Sequence, residues 1–430
     1  MNIIKKISPA RFIVIGFLFV ILIGAVILML PISVKEGMQV SPIDALFTST
    51  SAVCVTGLVV TDTADTFHVF GQAVVALLIQ IGGLGVSSVG VGIILMAGKK
   101  VTFKERVMVK EALNLDSMKG IVRLIKAVLL LTLCFEAAGA LISFFVFVQD
   151  FPLMKAIGLS IFHSIAAFNN SGFDVLGGFQ NLMGYRDNIL LNVTTCILII
   201  FGGLGFYVTK EVINKRSFKK LSLHSKVVIS MSAILLVAGT LLLKFTEDIT
   251  WLGAFFQSTS ARTAGFCTYP LGEFTNAGLF VMIILMFIGA SPGSTGGGIK
   301  TTTAFTLFKS AYSMSTNRHC MGFKRKIPND VIVKAFIITF LAAILICVDT
   351  LLISILEPQF SFIQILFEVV SAFGTVGLST GITTELGVIS KLIIIVTMFI
   401  GRLGPLTMAS IWIYKPTSNI KYSEENLTIG

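Results

Sequence analysis

A short segment with a central glycine occurs four times in this chain, and it constrains the fold more than any other feature. The four segments are Val55-Thr56-Gly57-Leu58, Asn170-Ser171-Gly172-Phe173, Thr263-Ala264-Gly265-Phe266 and Thr375-Val376-Gly377-Leu378. Their glycines are 115, 93 and 112 residues apart, about a quarter of the chain each time. One copy would be a weak signal, but four copies at this spacing indicate fourfold internal duplication. We therefore predict four repeats, 1–98, 99–216, 217–318 and 319–430.

Long apolar segments accompany each glycine segment. The chain is 55% hydrophobic and 13% charged, whereas soluble domains carry about 25% charged residues. A transmembrane helix needs about 20 apolar residues to cross about 30 Å of hydrocarbon. Eight stretches meet or approach this length: 12–30, 73–96, 121–148, 189–208, 227–243, 277–290, 331–356 and 392–414. The sequence therefore predicts an all-α membrane protein with eight transmembrane helices, two in each repeat.

A shorter apolar segment precedes each glycine segment, at 43–54, 153–169, 251–262 and 360–374. None is long enough to cross the bilayer, so each would end in mid-membrane. Backbone that ends there is tolerated only if it lines a watery cavity or is buried by protein. We expect four such segments to surround one axis and enclose a cavity.

The basic residues are distributed unevenly. Three connections, 97–120, 209–226 and 309–334, carry six each, and the termini add Lys5, Lys6, Arg11, Lys415 and Lys421. The opposite connections carry five in total. Because cytoplasmic loops are enriched in Lys and Arg, both termini are predicted to be cytoplasmic. The formal charge of +11 then reflects topology and lipid contact and not nucleic-acid binding, although the same loops could also contact a cytoplasmic partner.

The second spans contain a further glycine pattern. Gly82-Gly83-Leu84-Gly85, Gly202-Gly203-Leu204-Gly205 and Gly401-Arg402-Leu403-Gly404 lie at corresponding places in three repeats. Small residues there allow close helix packing, which we expect to be their role in the first two repeats, whereas the third and fourth repeats differ. The third repeat instead contains Gly289 followed by Ala290, Ser291, Pro292, Gly293, Ser294, Thr295, Gly296, Gly297 and Gly298. Glycine costs about 1 kcal/mol and proline about 3 kcal/mol inside a helix, so 290–298 should not be helical.

The segment 290–298 has two competing interpretations besides an intramembrane gate. A phosphate-binding loop, GxxxxGK[ST], is excluded because Ile299 separates Gly298 from Lys300 and no strand precedes the segment. A fixed re-entrant loop with no moving part remains the alternative. A flexible gate facing the cavity is the interpretation that we favour.

Arg402 lies within the corresponding span of the fourth repeat. An arginine in mid-bilayer costs about 2.5–3.5 kcal/mol or more unless it meets water or a partner. Carbonyl groups freed by the interrupted third repeat could accept its five N–H donors. An ion pair with Asp349 or Glu136 is the alternative, and the role of Arg262, at the end of a short segment, is open.

The short segments and glycines together favour a cation. Helices that end near mid-membrane direct their negative C-terminal ends toward the axis. Glycine allows the backbone carbonyls of the following turn to point inward, and rings of four carbonyls can replace the hydration shell of K⁺. The carbonyls expected to bind K⁺ belong to Thr56, Gly57, Ser171, Gly172, Ala264, Gly265, Val376 and Gly377. Each repeat would thus contain a span, a pore helix, a filter segment and a second span around a pseudo-fourfold pore.

A family resemblance agrees with this interpretation. Thr375-Val376-Gly377-Leu378-Ser379 resembles the potassium-channel filter TVGYG, with Leu for Tyr and Ser for the last Gly. Together with the four repeats and the glycine-rich break, it resembles the Trk/Ktr/HKT superfamily, and within it the bacterial KtrB-type membrane subunits. The resemblance assigns the filter to the four glycine segments, the gate to 290–298 and a cavity arginine to Arg402. Gly57, which is serine in sodium-preferring plant relatives, favours potassium.

The resemblance also implies partners. It implies potassium uptake, often sodium-dependent, across the bacterial plasma membrane by a homodimer on a cytoplasmic RCK-type (KtrA-like) ring. Nucleotide would bind that ring, and this chain would hold no cofactor besides the transported K⁺; whether Na⁺ is transported with it is open. The nearest rival is an alternating-access cation carrier, although such folds usually have two inverted halves. An enzyme is disfavoured because His68, His163, His224 and His319 are dispersed and no nucleophile pairs with a base.

Overall fold

The computed structural model describes residues 9–112 and 120–410, and these are mostly helical. The helices are α1 Pro9–Leu28, α2 Pro42–Cys54, α3 Thr63–Thr66, α4 Val69–Leu84, α5 Val86–Met96, α6 Phe103–Ala112, α7 Ile121–Phe147, α8 Leu153–Phe168, α9 Ile189–Leu204, α10 Phe206–Lys215, α11 Leu223–Thr246, α12 Trp251–Ser260, α13 Asn276–Phe287, α14 Thr301–Ser315, α15 Asn329–Leu356, α16 Phe362–Gly374, α17 Val388–Leu403 and α18 Pro405–Ser410. Two short antiparallel strands, β1 Met321–Gly322 and β2 Arg325–Lys326, form a hairpin. The predictions for Lys5, Lys6, Lys119, Lys415 and Lys421, and for the end of the span 392–414, lie outside the described residues.

Four helices, α1, α7, α11 and α15, are long and apolar enough to cross a membrane. They coincide with the predicted first span of each repeat. The second spans differ: α4 and α5 form a pair bent by 97°, and α9 and α10 form a pair bent by 100°. By length and composition, the described part of the chain therefore contains four spans, or six if each bent pair is counted as one.

The predicted spans 73–96 and 189–208 are not single helices. Gly85 and Gly205 have φ of +82° and +92°, with ψ near 135°, and end the helices before them. Gly404 has the same conformation after α17, with φ of +87°. L-residues rarely adopt positive φ, so Gly85 and Gly205, which we had assigned to close packing, instead break their helices.

Short helices lie at all four predicted positions before the glycine segments. α2, α8, α12 and α16 contain 13, 16, 10 and 13 residues, which at 1.5 Å per residue is about 15–24 Å, less than the hydrocarbon thickness of about 30 Å. Ser41, Thr250 and Ser361 cap α2, α12 and α16 by accepting hydrogen bonds from backbone N–H groups of the first turn. These caps define where the three helices begin.

Three repeats join the long helix to the short helix by the same pair of contacts. Ser49, Ser164 and Ser258 donate hydrogen bonds to carbonyls of α1, α7 and α11 at 2.7, 2.6 and 3.0 Å. Gly24, Gly139 and Gly239 face these serines, and a Cβ atom on any of them would collide with the serine hydroxyl. The small residue lets the two helices approach closely, while the serine satisfies its hydroxyl inside the protein.

The helices also pack in a closed cycle. Each short helix packs against the second-span helix of the preceding repeat: α8 on α4, α12 on α9, α16 on α13 and α2 on α17. The last of these contacts joins the fourth repeat to the first. The ends of the four short helices are thereby brought to the centre of the fold.

Glu357 joins the end of α15 to the start of α17, outside the long helices. Its carboxylate accepts hydrogen bonds from the Gly387 N–H and the Ser390 Oγ, both at 2.7 Å. Burial alone would raise the pKa of Glu357, but these bonds and one from Gln359 outweigh it and lower the pKa below its ordinary value. The Glu357 carboxylate therefore binds a proton more readily in the unfolded chain than in the folded chain. Its contribution to folding stability is lost as pH falls through the lowered pKa.

We therefore expect the melting temperature of the detergent-solubilised protein to fall as pH is lowered below about 4.3, the ordinary pKa of Glu. Glu357→Gln should be destabilised by about 1–3 kcal/mol near neutral pH, because the ionised acceptor is lost. Its melting temperature should also depend less on pH in the acid range. Glu385→Gln, at an exposed carboxylate nearby, is the control. Equal pH dependence in both variants and the parent would contradict this assignment.

Candidate functional site

The four glycine segments adopt the same backbone conformation at the ends of the short helices. The first residue of each segment has positive φ: 58° at Val55, 59° at Asn170, 75° at Thr263 and 49° at Thr375. The glycine two residues later also has positive φ, between 68° and 93° in the four copies. These conformations are unfavourable for L-residues other than glycine, so the surrounding structure must hold each turn in place.

Backbone N–H groups of the turns face the short helices. The N–H groups of Thr56 and Val376 donate to the carbonyls of Ser51 and Ser371, both at 2.8 Å. The next N–H groups, those of the glycines, donate to the hydroxyls of the same two serines, at 3.0 and 3.1 Å. Because the donors are satisfied on the outer side, the carbonyls of these turns are left to face the opposite side.

The glycines and the carbonyls before them form a closed ring. A Cβ atom on Gly57 would collide with the Ser171 carbonyl, and one on Gly172 would lie 2.9 Å from the Ala264 carbonyl. Likewise, a Cβ on Gly265 would collide with the Val376 carbonyl, and one on Gly377 with the Thr56 carbonyl. The contacts run from the first repeat through the second, third and fourth and back to the first. All four predicted segments are thus brought together around one axis.

The large residue after each glycine is buried. Leu58, Phe173, Phe266 and Leu378 are each at most 1% exposed. Asn181 provides a link that the sequence did not indicate: its Nδ2 donates to the Gly172 carbonyl at 3.0 Å, and its Oδ1 accepts from the Cys267 N–H at 3.2 Å. The Gly172 carbonyl, one of the eight predicted cation ligands, is therefore partly engaged by a side chain.

The segment 290–298 is not helical, as predicted, and it lies against the break of the second repeat. The N–H groups of Ser291 and Thr295 donate to the carbonyls of Gly203 and Gly202 at 3.0 and 3.3 Å. In return, the Phe206 N–H, at the start of α10, donates to the Gly293 carbonyl at 3.0 Å. The break at Gly205 therefore leaves backbone groups of α9 and α10 free to form hydrogen bonds with this loop.

The same loop also contacts the fourth repeat. The Gly297 N–H donates to Thr375 Oγ1 at 2.9 Å, so the loop touches the first residue of a glycine segment. Arg402 donates to the Thr295 carbonyl, and also to the Gly82 carbonyl and, at 3.4 Å, the Gly83 carbonyl. One guanidinium thus connects the loop to the broken end of α4.

The remaining charged residues take other partners. Asp349 accepts a hydrogen bond from Thr397 Oγ1 at 2.6 Å, and Glu136 accepts one from Asn169 Nδ2 at 3.0 Å. The alternative of an ion pair between Arg402 and either acid is therefore wrong. Arg262 donates to the carbonyl and hydroxyl of Ser232 at 3.3 and 3.2 Å, joining the end of α12 to α11.

In the second spans of the first, second and fourth repeats, a glycine lies three residues before the glycine that ends the helix, and the structure shows why. A Cβ atom on Gly82, Gly202 or Gly401 would collide with the carbonyl of Val53, Phe168 or Phe373, respectively. Each of these carbonyls lies four residues before a ring glycine. Close packing, predicted for Gly82 and Gly202, is confirmed at both positions, and the structure shows it at Gly401 as well.

Comparisons with known proteins agree in fold and family. The family model described as TrkH, cation transport protein, matches residues 8–252 and 226–420. The potassium/sodium uptake protein NtpJ of Enterococcus hirae is 38% identical over 99% of this chain and 98% of its own length. The Ktr system potassium uptake protein B of Bacillus subtilis is 39% identical over 99% and 97%. The crystal structure of the potassium transporter TrkH from Vibrio parahaemolyticus superposes with a TM-score of 0.74 over 95% of this chain and 87% of that one, at 19% identity.

Proposed function

Because this chain belongs to the TrkH family of cation transport proteins, as a KtrB-type subunit, we propose that it is the membrane subunit of a potassium uptake system. K⁺ passes through a central filter made by the four glycine segments. Relatives named as potassium uptake proteins support the choice of ion. The relative named as a potassium/sodium uptake protein supports a role for Na⁺.

The observation that carries this proposal is the ring of carbonyls and glycines. The carbonyls of Thr56, Ser171, Ala264 and Val376 each face the glycine of a neighbouring repeat. Four oxygens at one level can replace water around a partly dehydrated K⁺, and the nearby C-terminal ends of α2, α8, α12 and α16 favour positive charge. No carboxylate is needed at that level, so the ion is held weakly enough to leave.

The loop 290–298 is the gate of this pathway. It is fixed by hydrogen bonds to the second repeat and by the Thr375 hydroxyl, immediately beside the filter. Its four glycines, including Gly293 and Gly298 with positive φ, give it the freedom to move. Arg402 holds the loop to the end of α4 and thereby stabilises the closed state.

The wider assembly follows from the same family. We infer four repeats, 1–98, 99–216, 217–318 and 319–430, each crossing the plasma membrane twice, with both termini in the cytoplasm. Two copies form a homodimer on a cytoplasmic RCK-type ring that binds nucleotide and controls the gate. The relatives named as Ktr system proteins B and D support an arrangement of several components.

The alternative mechanism is an alternating-access cation carrier. The broken helices α4–α5 and α9–α10 are compatible with it, since such carriers also bind substrate at unwound helices. The two mechanisms differ in rate, because a carrier must change conformation for every ion. Single-channel current steps in planar bilayers would favour the filter mechanism over the carrier.

Uptake by potassium-starved bacteria that lack their own uptake systems tests the proposed function. Expression of this chain should restore K⁺ uptake, and a cytoplasmic regulatory subunit should increase the rate. Immunodetection in the membrane fraction confirms that the protein is present. The proposal fails if K⁺ and Rb⁺ uptake stay at the level of cells carrying an empty plasmid, both with and without the regulatory subunit.

A further inference from the structure

A groove of about 580 Å³ lies between α10, the turn that follows it and the first part of α11. Apolar side chains, among them Val212, Ile213 and Ile229, form most of its wall. Arg216 and Ser217, in the turn between the two helices, also line it. Val212 and Ile213 are 38% and 47% exposed, so residues 9–112 and 120–410 do not cover this apolar surface.

The groove lies where headgroups meet hydrocarbon. α11 has 24 residues, about 36 Å at 1.5 Å per residue, so its first turn reaches the boundary of a hydrocarbon layer about 30 Å thick. Ile229 is six residues into α11, about 9 Å deeper than Leu223. Arg216 and Ser217 precede α11 and lie at headgroup level. The 100° bend before α10 turns that helix away from the direction of α9, as in a helix that lies in the interface.

The charge of this region suits an anion. Residues 210–226 contain six basic side chains and a single acid, Glu211. Glu211 is buried and already accepts hydrogen bonds from Lys215, at 2.6 Å, and from Ser222 and Ser225. The acid therefore does not neutralise Arg216, which is exposed at the end of α10. Guanidinium binds phosphate with two parallel hydrogen bonds, and basic residues near an anionic leaflet attract its lipids.

We propose that this groove binds one anionic phospholipid of the cytoplasmic leaflet. The phosphodiester lies at Arg216 and Ser217, and one acyl chain lies along Val212, Ile213 and Ile229. Membrane lipid is favoured over a protein partner because the polar and apolar parts of the groove follow the order of headgroup and hydrocarbon. The argument for this lipid site uses the orientation of α11 in the membrane and no residue of the ion pathway. Lipid binding is therefore a property separate from potassium uptake.

The site also lies close to the gate. The first residue of α10, Phe206, is hydrogen-bonded to the Gly293 carbonyl of the loop at 3.0 Å. The last residues of α10 form the wall of the groove. A lipid in the groove would therefore contact α10, the ten-residue helix whose first residue is hydrogen-bonded to the loop 290–298.

Native mass spectrometry of the full-length protein in mild detergent tests the site. Incubated with equal amounts of phosphatidylglycerol and phosphatidylcholine, the parent should retain one phosphatidylglycerol, at roughly a tenfold preference. Both lipids offer a phosphodiester to Arg216, but the choline ammonium of phosphatidylcholine is repelled by the basic side chains of 210–226. Arg216→Ala should reduce retention of phosphatidylglycerol by a similar factor. Arg325→Ala, at an exposed arginine of β2, removes the same charge elsewhere and should leave retention unchanged. Ile229→Trp, which fills the groove, should reduce retention of both lipids.

Several results would overturn the proposal. These are equal retention of the two lipids, unchanged retention in Arg216→Ala, or an equal loss in Arg325→Ala. Displacement of the lipid by glycerol 3-phosphate at equal concentration would show that the apolar wall does not contribute. Loss of dimer without loss of lipid in Ile229→Trp would assign the groove to a second copy of the chain. If Ile229→Trp fails to fold, the two arginine variants still decide.

Discussion

Replacing Gly377 by serine is expected to lower the selectivity for K⁺ over Na⁺ by about tenfold. The residue has φ of +91°, and a Cβ atom there would collide with the Thr56 carbonyl and approach Gly57 Cα to 2.8 Å. Strain of this kind costs about 1–3 kcal/mol, and 1.4 kcal/mol corresponds to a factor of ten. Since the displaced group is a carbonyl of the ring, the added side chain changes the distances to the bound ion directly.

Competition between Rb⁺ and Na⁺ in uptake by potassium-starved cells measures this effect. Gly158→Ser is the matched control, because Gly158 lies on α8, also a short helix, and a Cβ atom there meets nothing within 4 Å. The control should keep the selectivity of the parent. If Gly377→Ser reaches the membrane and discriminates K⁺ from Na⁺ as well as Gly158→Ser does, the filter assignment is wrong.

The sequence was sufficient to predict the four turns because their signal is repetition. Gly57, Gly172, Gly265 and Gly377 are needed for two reasons, positive φ and close approach of a neighbouring backbone. Both reasons require a glycine at the same place in every repeat, so the repetition is visible in the sequence. The short helices followed from apolar length alone, since 10 to 16 residues cannot cross the bilayer.

The bends at Gly85 and Gly205 could not be predicted in the same way. Both glycines lie in GGLG segments, and the pattern does not distinguish the glycine that permits packing from the glycine that ends the helix. The structure separates them: Gly82 faces the Val53 carbonyl, whereas Gly85 has positive φ and a Cβ atom there would meet nothing within 4 Å. Tertiary contacts decide such cases, and they join residues far apart in the chain.

Arg402 was predicted to donate to carbonyls of the loop 290–298, and it donates to the Thr295 carbonyl. The partners of the loop in the second repeat were not predicted: they are Gly202, Gly203 and Phe206, about 90 residues earlier in the chain. Asn181, which links the second and third turns, lies in a connection with no repeated counterpart that we recognised. Both examples involve backbone N–H and C=O groups, which do not depend on residue type, so no residue type marks them.

Replacing Arg402 by alanine is expected to raise basal K⁺ flux by about tenfold or more when no regulatory subunit is present. The guanidinium donates to the Thr295 carbonyl of the loop and to the Gly82 carbonyl at the end of α4. Hydrogen bonds from a charged donor contribute about 1.5–3 kcal/mol each, which corresponds to a shift of about 10- to 100-fold in the closed-to-open equilibrium. Without them the loop keeps its backbone bonds to the second repeat, its contact with Thr375 and the hydrogen bonds from Lys300 to the Gly296 and Gly297 carbonyls.

Arg402→Lys is the matched control for charge. A lysine keeps the positive charge but cannot reach two carbonyls in a fixed fork, so its flux should lie between those of the parent and the alanine variant. When the regulatory subunit is present and active, all three proteins should approach the same rate, because the gate is then open in each. Rb⁺ flux into proteoliposomes, normalised to folded protein, gives the comparison. Flux in Arg402→Ala no higher than in the parent, or higher by the same factor whether or not the subunit is active, would show that this arginine does not hold the gate closed.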